Sequence, residues 1–230
     1  SDQGYEGVII QIYKQMNRVE ITENEIHAQA GALLSMIANR AMEAELTGFE
    51  FAAGIPGTLG GACVMNAGAY GGEMKDVLET VTVLTRDGDV KTLTKDELEL
   101  GYRTSVIAKK DYIVLSAVIR LENGKKEEIK AVMDDLKEKR ITKQPLEYPS
   151  AGSTFKRPEG YFAGKLIQDA GLRGFQVGGA QVSEKHCGFV VNKDQATAAD
   201  VMNLMNQVSD KVYEMSGVRL EPEVKRLGVF

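Results

Sequence analysis

Tryptophan is absent from the 230 residues, and cysteine, histidine and proline are scarce at two, two and five. Two cysteines, Cys63 and Cys187, do not make a disulfide framework. With two histidines and no Cys-x-x-Cys pair, no metal site is expected. No apolar run approaches the roughly 20 residues that span a bilayer, and the first residues carry no signal-peptide pattern. Long basic runs are missing and the net charge is −5, so neither nucleic acid nor membrane is an expected partner. These absences fit a reducing, cytoplasmic setting. The apolar share of 43% and charged share of 27% are those of a soluble globular chain, long enough for one large domain or two ordinary ones.

The pattern predicts mixed helices and strands. Residues 7–12 read as a strand, because Val8, Ile9, Ile10 and Ile12 are β-branched. Residues 18–22 and 25–30 alternate apolar with polar and pair across Glu23-Asn24. Residues 32–45 read as a helix with Leu33, Leu34, Ile37, Ala38 and Ala41 on one face. A hairpin joins 78–85 to 90–93 across Asp87-Gly88. Thr94 and Glu97 form a capping box that opens a short helix, and 112–121 is a strand. A charged helix follows over 125–140, with Ile129, Val132, Met133 and Leu136 as its apolar stripe. Pro145 and Pro149 restrict their predecessors and mark the passage into a second domain. There, 164–170 reads as a short helix and 188–192 as a strand. Thr197 caps a helix to Met215, with the stripe Val201, Leu204, Met205, Val208, Val212 and Met215, and Gly217 stops it. Residues 221–230 form an extended tail.

Glycine is unevenly spread: eight of 24 fall between Gly48 and Gly72. A helix or strand that rich in glycine loses too much backbone entropy. The stretch is therefore expected to be a loop whose bare main chain meets a ligand. Pro56 fixes a turn, Gly57, Gly60 and Gly61 supply a nest of amides, and Asn66 adds a donor and an acceptor. Ala62, Ala67 and Ala69 keep the wall thin. Such a surface suits a large flat ligand with a phosphate tail.

Gly54-Ile-Pro-Gly-Thr-Leu-Gly-Gly-Ala62 and Asn66-Ala-Gly-Ala-Tyr70-Gly-Gly resemble the flavin-binding segment of the UDP-N-acetylenolpyruvoylglucosamine reductases. Further motifs of that family follow in order: Gly101-Tyr-Arg-Thr-Ser105, Pro149-Ser-Ala-Gly-Ser-Thr-Phe-Lys-Arg-Pro158, Gly178-Gly-Ala-Gln-Val-Ser183 and Leu220-Glu-Pro-Glu-Val224. The resemblance implies an α+β flavoprotein. An FAD-binding domain of the vanillyl-alcohol-oxidase type (1–123) precedes a smaller α+β substrate domain (124–220), and the tail (221–230) returns to the flavin. Family members also carry a Gly-Gly-Gly-Ser-Asn loop at the flavin pyrophosphate, which the resemblance places before Ser1, so the chain reads as truncated at its N-terminus. The implied reaction reduces UDP-N-acetylglucosamine enolpyruvate to UDP-N-acetylmuramate with NADPH through FAD, in peptidoglycan precursor synthesis.

The same resemblance implies the site. Gly54, Ile55, Pro56, Gly57, Gly60, Gly61, Ala62, Asn66, Gly68 and Ala69 would hold the cofactor. Arg103 would stabilise charge spreading into the substrate carboxylate, because a guanidinium is always charged and forks onto carboxylates. Ser153 would donate the proton, a role that chemistry alone does not separate from Ser150 or Thr154. Glu223 would help polarise the substrate. Lys143, Lys156, Arg157 and Lys165 offer cations for a sugar diphosphate, with their individual roles open. Tyr70 and Tyr102 either line the flavin or are buried in the fold. His186 beside Cys187 reads as packing, since no acid is spaced to orient the imidazole. Two other readings remain: a different FAD enzyme of the same cofactor fold, such as a carbohydrate oxidase, and a non-catalytic nucleotide-sugar binder.

Overall fold

The computed structural model describes residues 1–229, and Phe230 lies outside the described residues. The chain divides into two compact units, Ile9–Arg140 and Ser1–Val8 with Ile141–Phe230. The expected division after residue 123 thus falls instead at the last turn of a helix.

The first unit contains β1 (Val19–Thr22), β2 (Glu25–Gln29), α1 (Leu34–Glu43) and β3 (Leu46–Thr47). Next come α2 (Leu59–Met65), β4 (Gly68–Ala69), β5 (Gly72–Glu73) and α3 (Met74–Val77). The remainder is β6 (Leu78–Leu84), β7 (Val90–Thr94), α4 (Val106–Lys109), β8 (Ile113–Arg120), β9 (Glu122–Asn123) and α5 (Lys126–Lys143). A five-stranded antiparallel sheet runs β1-β2-β8-β6-β7. Its register sets Ile26 opposite Ile119 and Ala28 opposite Ala117, all buried. Glu25 and Arg120 alternate with them and pair by a salt bridge. Period-two alternation therefore decides which face is core.

Contrary to expectation, the glycine-rich stretch contains a helix. Two glycines in α2 cost about 2 kcal/mol relative to alanine, but Leu59, Ala62 and Cys63 are buried. A fully buried leucine alone is worth about 1.5–3 kcal/mol, so packing overrides propensity. Gly60 is required by that packing: a Cβ there would lie 3.0 Å from the Ala30 Cβ and 3.2 Å from its carbonyl. Cys63 is enclosed, and burial pushes its thiol up to about 12, which leaves no nucleophile.

Other expectations are corrected here. Residues 7–12 form no strand, and Val8 and Ile10 are 88% and 82% exposed. Only half of the expected capping box is made: the Thr94 amide and hydroxyl both donate to Glu97 Oε2, and only turns follow. The hairpin loop spans Thr85 to Asp89, closed by the Thr85 amide on the Asp89 carbonyl at 2.9 Å. Of the α5 stripe only Ile129 is buried, while Met133 is partly buried against the same core.

The second unit holds β10 (Ser150–Ser153), α6 (Ala163–Asp169), β11 (Gln176–Val177), β12 (Ala180–Val182), β13 (Phe189–Asn192) and α7 (Ala198–Ser216). Its antiparallel sheet runs β10-β13-β12-β11. Leu204, Met205, Val208 and Val212 of α7 are buried as expected, whereas Met215 is exposed. Thr197 and Asp200 form a full capping box, and Gly217 closes the helix at φ 70°. Amides of Thr197 and Gly179 hold the Asp200 carboxyl below its usual range. That stabilisation is present above the unfolded-state value and lost as pH falls through the folded one.

The first residues also belong to this unit. Asp2 accepts from the Ala198 amide at 2.7 Å and the Ala199 amide at 3.3 Å. A helix start leaves such amides without intrahelical partners, and a carboxylate satisfies them while complementing the dipole. An aspartate 196 positions from its partner leaves no local signal in the sequence.

Candidate flavin and substrate site

Thr58 leads the chain from an extended conformation into α2. The amides of Leu59 and Gly60 donate to the carbonyls of Ala32 (2.9 Å) and Ala30 (2.8 Å). The expected nest therefore loses the Gly60 amide to the Ala30 carbonyl. Gly68 is also structural: a Cβ there would sit 2.7 Å from the Gly72 carbonyl in the β4–β5 hairpin. Gly54 abuts Arg140, whose Nε lies 2.8 Å from where a Cβ would be. Ala62 is buried, while Ile55 and Ala69 are partly so.

Gly57 and Gly61 differ. Both are exposed, neither has a positive φ, and a Cβ would meet nothing within 4 Å at Gly57 and only the Thr58 hydroxyl, at 4.0 Å, at Gly61. The fold does not need glycine at these two positions. Bare backbone there leaves room for a flat ligand to lie against it. Gly61→Ala is therefore expected to leave thermal stability unchanged and to weaken FAD binding about 10- to 100-fold, the effect of a methyl forced into a packed contact. Fluorescence titration with FAD measures it, and equal affinity refutes the assignment.

The Asn66 side chain is committed within the protein. It is buried, with a left-handed φ of 47°. Its amide donates to Glu73 Oε2 at 2.6 Å and to the Gly101 carbonyl at 3.2 Å. Its carbonyl accepts the Lys75 amide at 2.8 Å. Both amide hydrogens and one lone pair of its carbonyl oxygen are thus engaged within the protein.

Arg103 sits at the tip of a tight turn in which Gly101 and Thr104 exchange backbone bonds of 3.1 and 3.2 Å. Its φ is 55°, a conformation that costs a non-glycine residue energy. The guanidinium lies 5.2 Å from the Tyr102 ring centre. Tyr102 and Tyr70 are 53% and 44% exposed, so burial in the fold does not explain them. Tyr70 borders a cavity of about 390 Å³ with Phe51, Gly54, Met133, Leu136 and Arg140. Arg140 was not singled out in the sequence, although its one-turn spacing from Lys143 on α5 is visible there.

In the second unit, three neighbouring hydroxyls are separated by their surroundings. Thr154 is buried, and its Oγ1 accepts the Val190 amide at 2.9 Å. Ser150 Oγ accepts the Gly152 amide at 3.1 Å. Ser153 is exposed at the end of β10 beside a register shift. Phe155 pairs with Pro222, flanked by bonds from the Glu223 amide to Thr154 (2.9 Å) and from the Lys156 amide to Glu221 (2.8 Å). In that pattern residue 222 needs no N–H toward its partner, which is where proline fits. The pairing brings Glu223 beside the strand that carries Ser153.

Of the four cations, Lys156 pairs with Glu221 and Lys165 with Asp169. Arg157 donates Nε to the Tyr161 carbonyl at 3.3 Å and stacks 4.0 Å from the Phe162 ring centre. Lys143 is exposed at the end of α5. His186 accepts the Gly188 amide at 3.0 Å and packs edge-on against Phe189. Burial holds its imidazole below the ordinary value and the neighbouring Cys187 thiol above its own.

Residues 1–94 match the FAD binding domain family. That match defines the class as a flavin-dependent oxidoreductase. Residues 144–227 match the UDP-N-acetylenolpyruvoylglucosamine reductase C-terminal domain family. The enzyme of that name from Agathobacter rectalis is 59% identical, over 100% of this chain and 77% of that protein. The one from Clostridioides difficile is 55% identical, over 99% and 75%. The crystal structure of the Thermus caldophilus enzyme superposes with a TM-score of 0.76 at 39% identity, over 87% of this chain and 72% of that one. The chain belongs to the UDP-N-acetylenolpyruvoylglucosamine reductase family.

Proposed function

We propose that this protein reduces UDP-N-acetylglucosamine enolpyruvate to UDP-N-acetylmuramate in the cytoplasm, with NADPH as reductant, as a step of peptidoglycan precursor synthesis. The observation that carries the reading is 59% identity across the whole chain to a relative bearing this activity in its name. Bound FAD supplies the two-electron chemistry between NADPH and the enolpyruvyl alkene. Gly57 and Gly61 present the backbone against which it lies.

As reduction proceeds, negative charge spreads into the substrate carboxylate. Arg103 meets that charge, held at the tip of its turn before the reaction begins, so little reorganisation is needed. Glu223 polarises the same end of the substrate. Ser153 then delivers its hydroxyl proton to the carbon next to the carboxylate. Support for Ser153 over Ser150 and Thr154 is that only the latter two accept amides from their neighbours. Lys143, Lys156, Arg157 and Lys165 face the diphosphate. The Lys156–Glu221 and Lys165–Asp169 pairs are exposed, and such pairs are worth about 0–1 kcal/mol, so a diphosphate with one negative charge on each phosphate displaces the carboxylates readily.

The test is NADPH oxidation by the FAD-loaded protein. It is expected to depend on the enolpyruvyl nucleotide sugar and to give UDP-N-acetylmuramate. Equal turnover with and without that sugar refutes the reading and favours a different flavin enzyme of the same fold.

A further inference from the structure

The turn bearing Arg103 is fastened at both ends to the C-terminal end of α2. At one end, the Gly101 carbonyl accepts the Asn66 side-chain amide at 3.2 Å and the Thr104 amide at 3.2 Å. At the other end, Ser105 is wholly buried, and its hydroxyl donates to the Val64 carbonyl at 2.6 Å. The Ser105 Oγ also accepts the Ala108 amide at 3.2 Å and so starts α4. Both attachments join positions 35 or more apart in sequence. Neither is a contact that a two-residue turn makes to sustain itself.

The anchor is buried. Asn66 is 1% exposed, and its partner Glu73 is tied in turn. Glu73 accepts from Asn66 with one carboxylate oxygen and pairs with Lys75 through the other at 2.5 Å. The Glu73 amide in turn donates to Asp76 at 2.9 Å. The left-handed backbone at Asn66 aims its side chain back at the turn, and the left-handed backbone at Arg103 lies two residues past the carbonyl it holds.

We propose that Asn66 and Ser105 are positioning residues for Arg103, fixing its guanidinium in register with the glycine-rich segment that begins α2. This rests on the reading of Arg103 as the carboxylate-binding group. In this assignment Asn66 acts on the reaction through Arg103 and not through the cofactor.

Asn66→Gly is the informative variant, because glycine accepts the left-handed backbone while removing every side-chain bond. With the FAD-loaded protein, kcat is expected to fall about 10- to 100-fold, the effect of misplacing a catalytic group by about an ångström. The affinity for FAD, titrated on the apoprotein, stays within about two-fold of the parent. In an Arg103→Ala background, adding Asn66→Gly changes kcat less than about two-fold, since the group it positions is gone. Ser105→Ala is carried through the same cycle, so the test survives if one variant folds poorly. Full additivity with Arg103→Ala, or FAD affinity lost with Asn66→Gly, overturns the proposal. If Arg103→Ala alone keeps the parent kcat, the reading of Arg103 fails first, and that outcome is visible in the single variant.

Discussion

Ser153→Ala is expected to lower turnover by about 10²–10⁴-fold or more, the range for deleting a positioned general acid, with thermal stability within about 0.5 kcal/mol of the parent. The stability half follows from position: Ser153 is exposed at the end of β10, and no buried group is orphaned by its loss. The rate half is divided between two steps. Reduction of bound FAD by NADPH needs no proton from this hydroxyl, so the loss of yellow absorbance on adding NADPH should stay within a few-fold of the parent. Recovery of that absorbance on adding the enolpyruvyl nucleotide sugar is where the proton is needed, and there the whole deficit should appear. Thr154→Ala is the contrast. It removes the acceptor of the buried Val190 amide, which costs about 1–3 kcal/mol of stability. Stopped-flow absorbance decides the matter. If Ser153→Ala slows both steps equally, or neither, Ser153 is not the proton donor.

Gly179→Ala is expected to be the most damaging single methyl in the second unit. The added Cβ would lie 2.0 Å from the Asp194 carbonyl and 2.5 Å from the Ala196 amide nitrogen, both backbone atoms. Neither can retreat cheaply. The Gly179 carbonyl accepts the amides of Lys193 (2.9 Å) and Asp194 (3.1 Å). The Ala196 amide donates to Asn192 at 2.9 Å, and Asp200 ties the Gly179 amide to the start of α7. Relief therefore means breaking the loop or the cap, about 2–4 kcal/mol and a drop in Tm of about 10 °C or more. Gly57→Ala, with open space around it, is the control and should change little. A Gly179→Ala protein that melts within about 2 °C of the parent would show that the loop yields.

Elements with strong periodicity were legible from the sequence, and those set by distant partners were not. The β1–β2 hairpin, β8, α6 and α7 follow from alternation, stripes and caps that lie within each segment. The strand expected at residues 7–12 failed because β-branched residues report only a preference for extended backbone, and no neighbouring strand pairs with them. The helix in the glycine-rich stretch was missed because propensity speaks against it, while the small side chain of Ala30 against which Gly60 packs lies 30 residues earlier. For the site, the resemblance supplied residue identities, and the structure separated them by use. It divided the glycines into those the fold requires and those it does not, and it showed the hydroxyls of Ser150 and Thr154 to be engaged. The bonds of Asn66 were not legible, because an amide side chain reads the same whether it faces a ligand or the protein's own backbone.

Pro222 has a further consequence. In its pairing with Phe155, the backbone of residue 222 points away from the partner, toward what would be the next strand of a growing sheet. Proline places no donor there. An exposed strand edge normally invites a second chain to add to it, and proline is one of the devices that blunt such edges. The segment that carries Glu223 is thus protected against self-association along that edge.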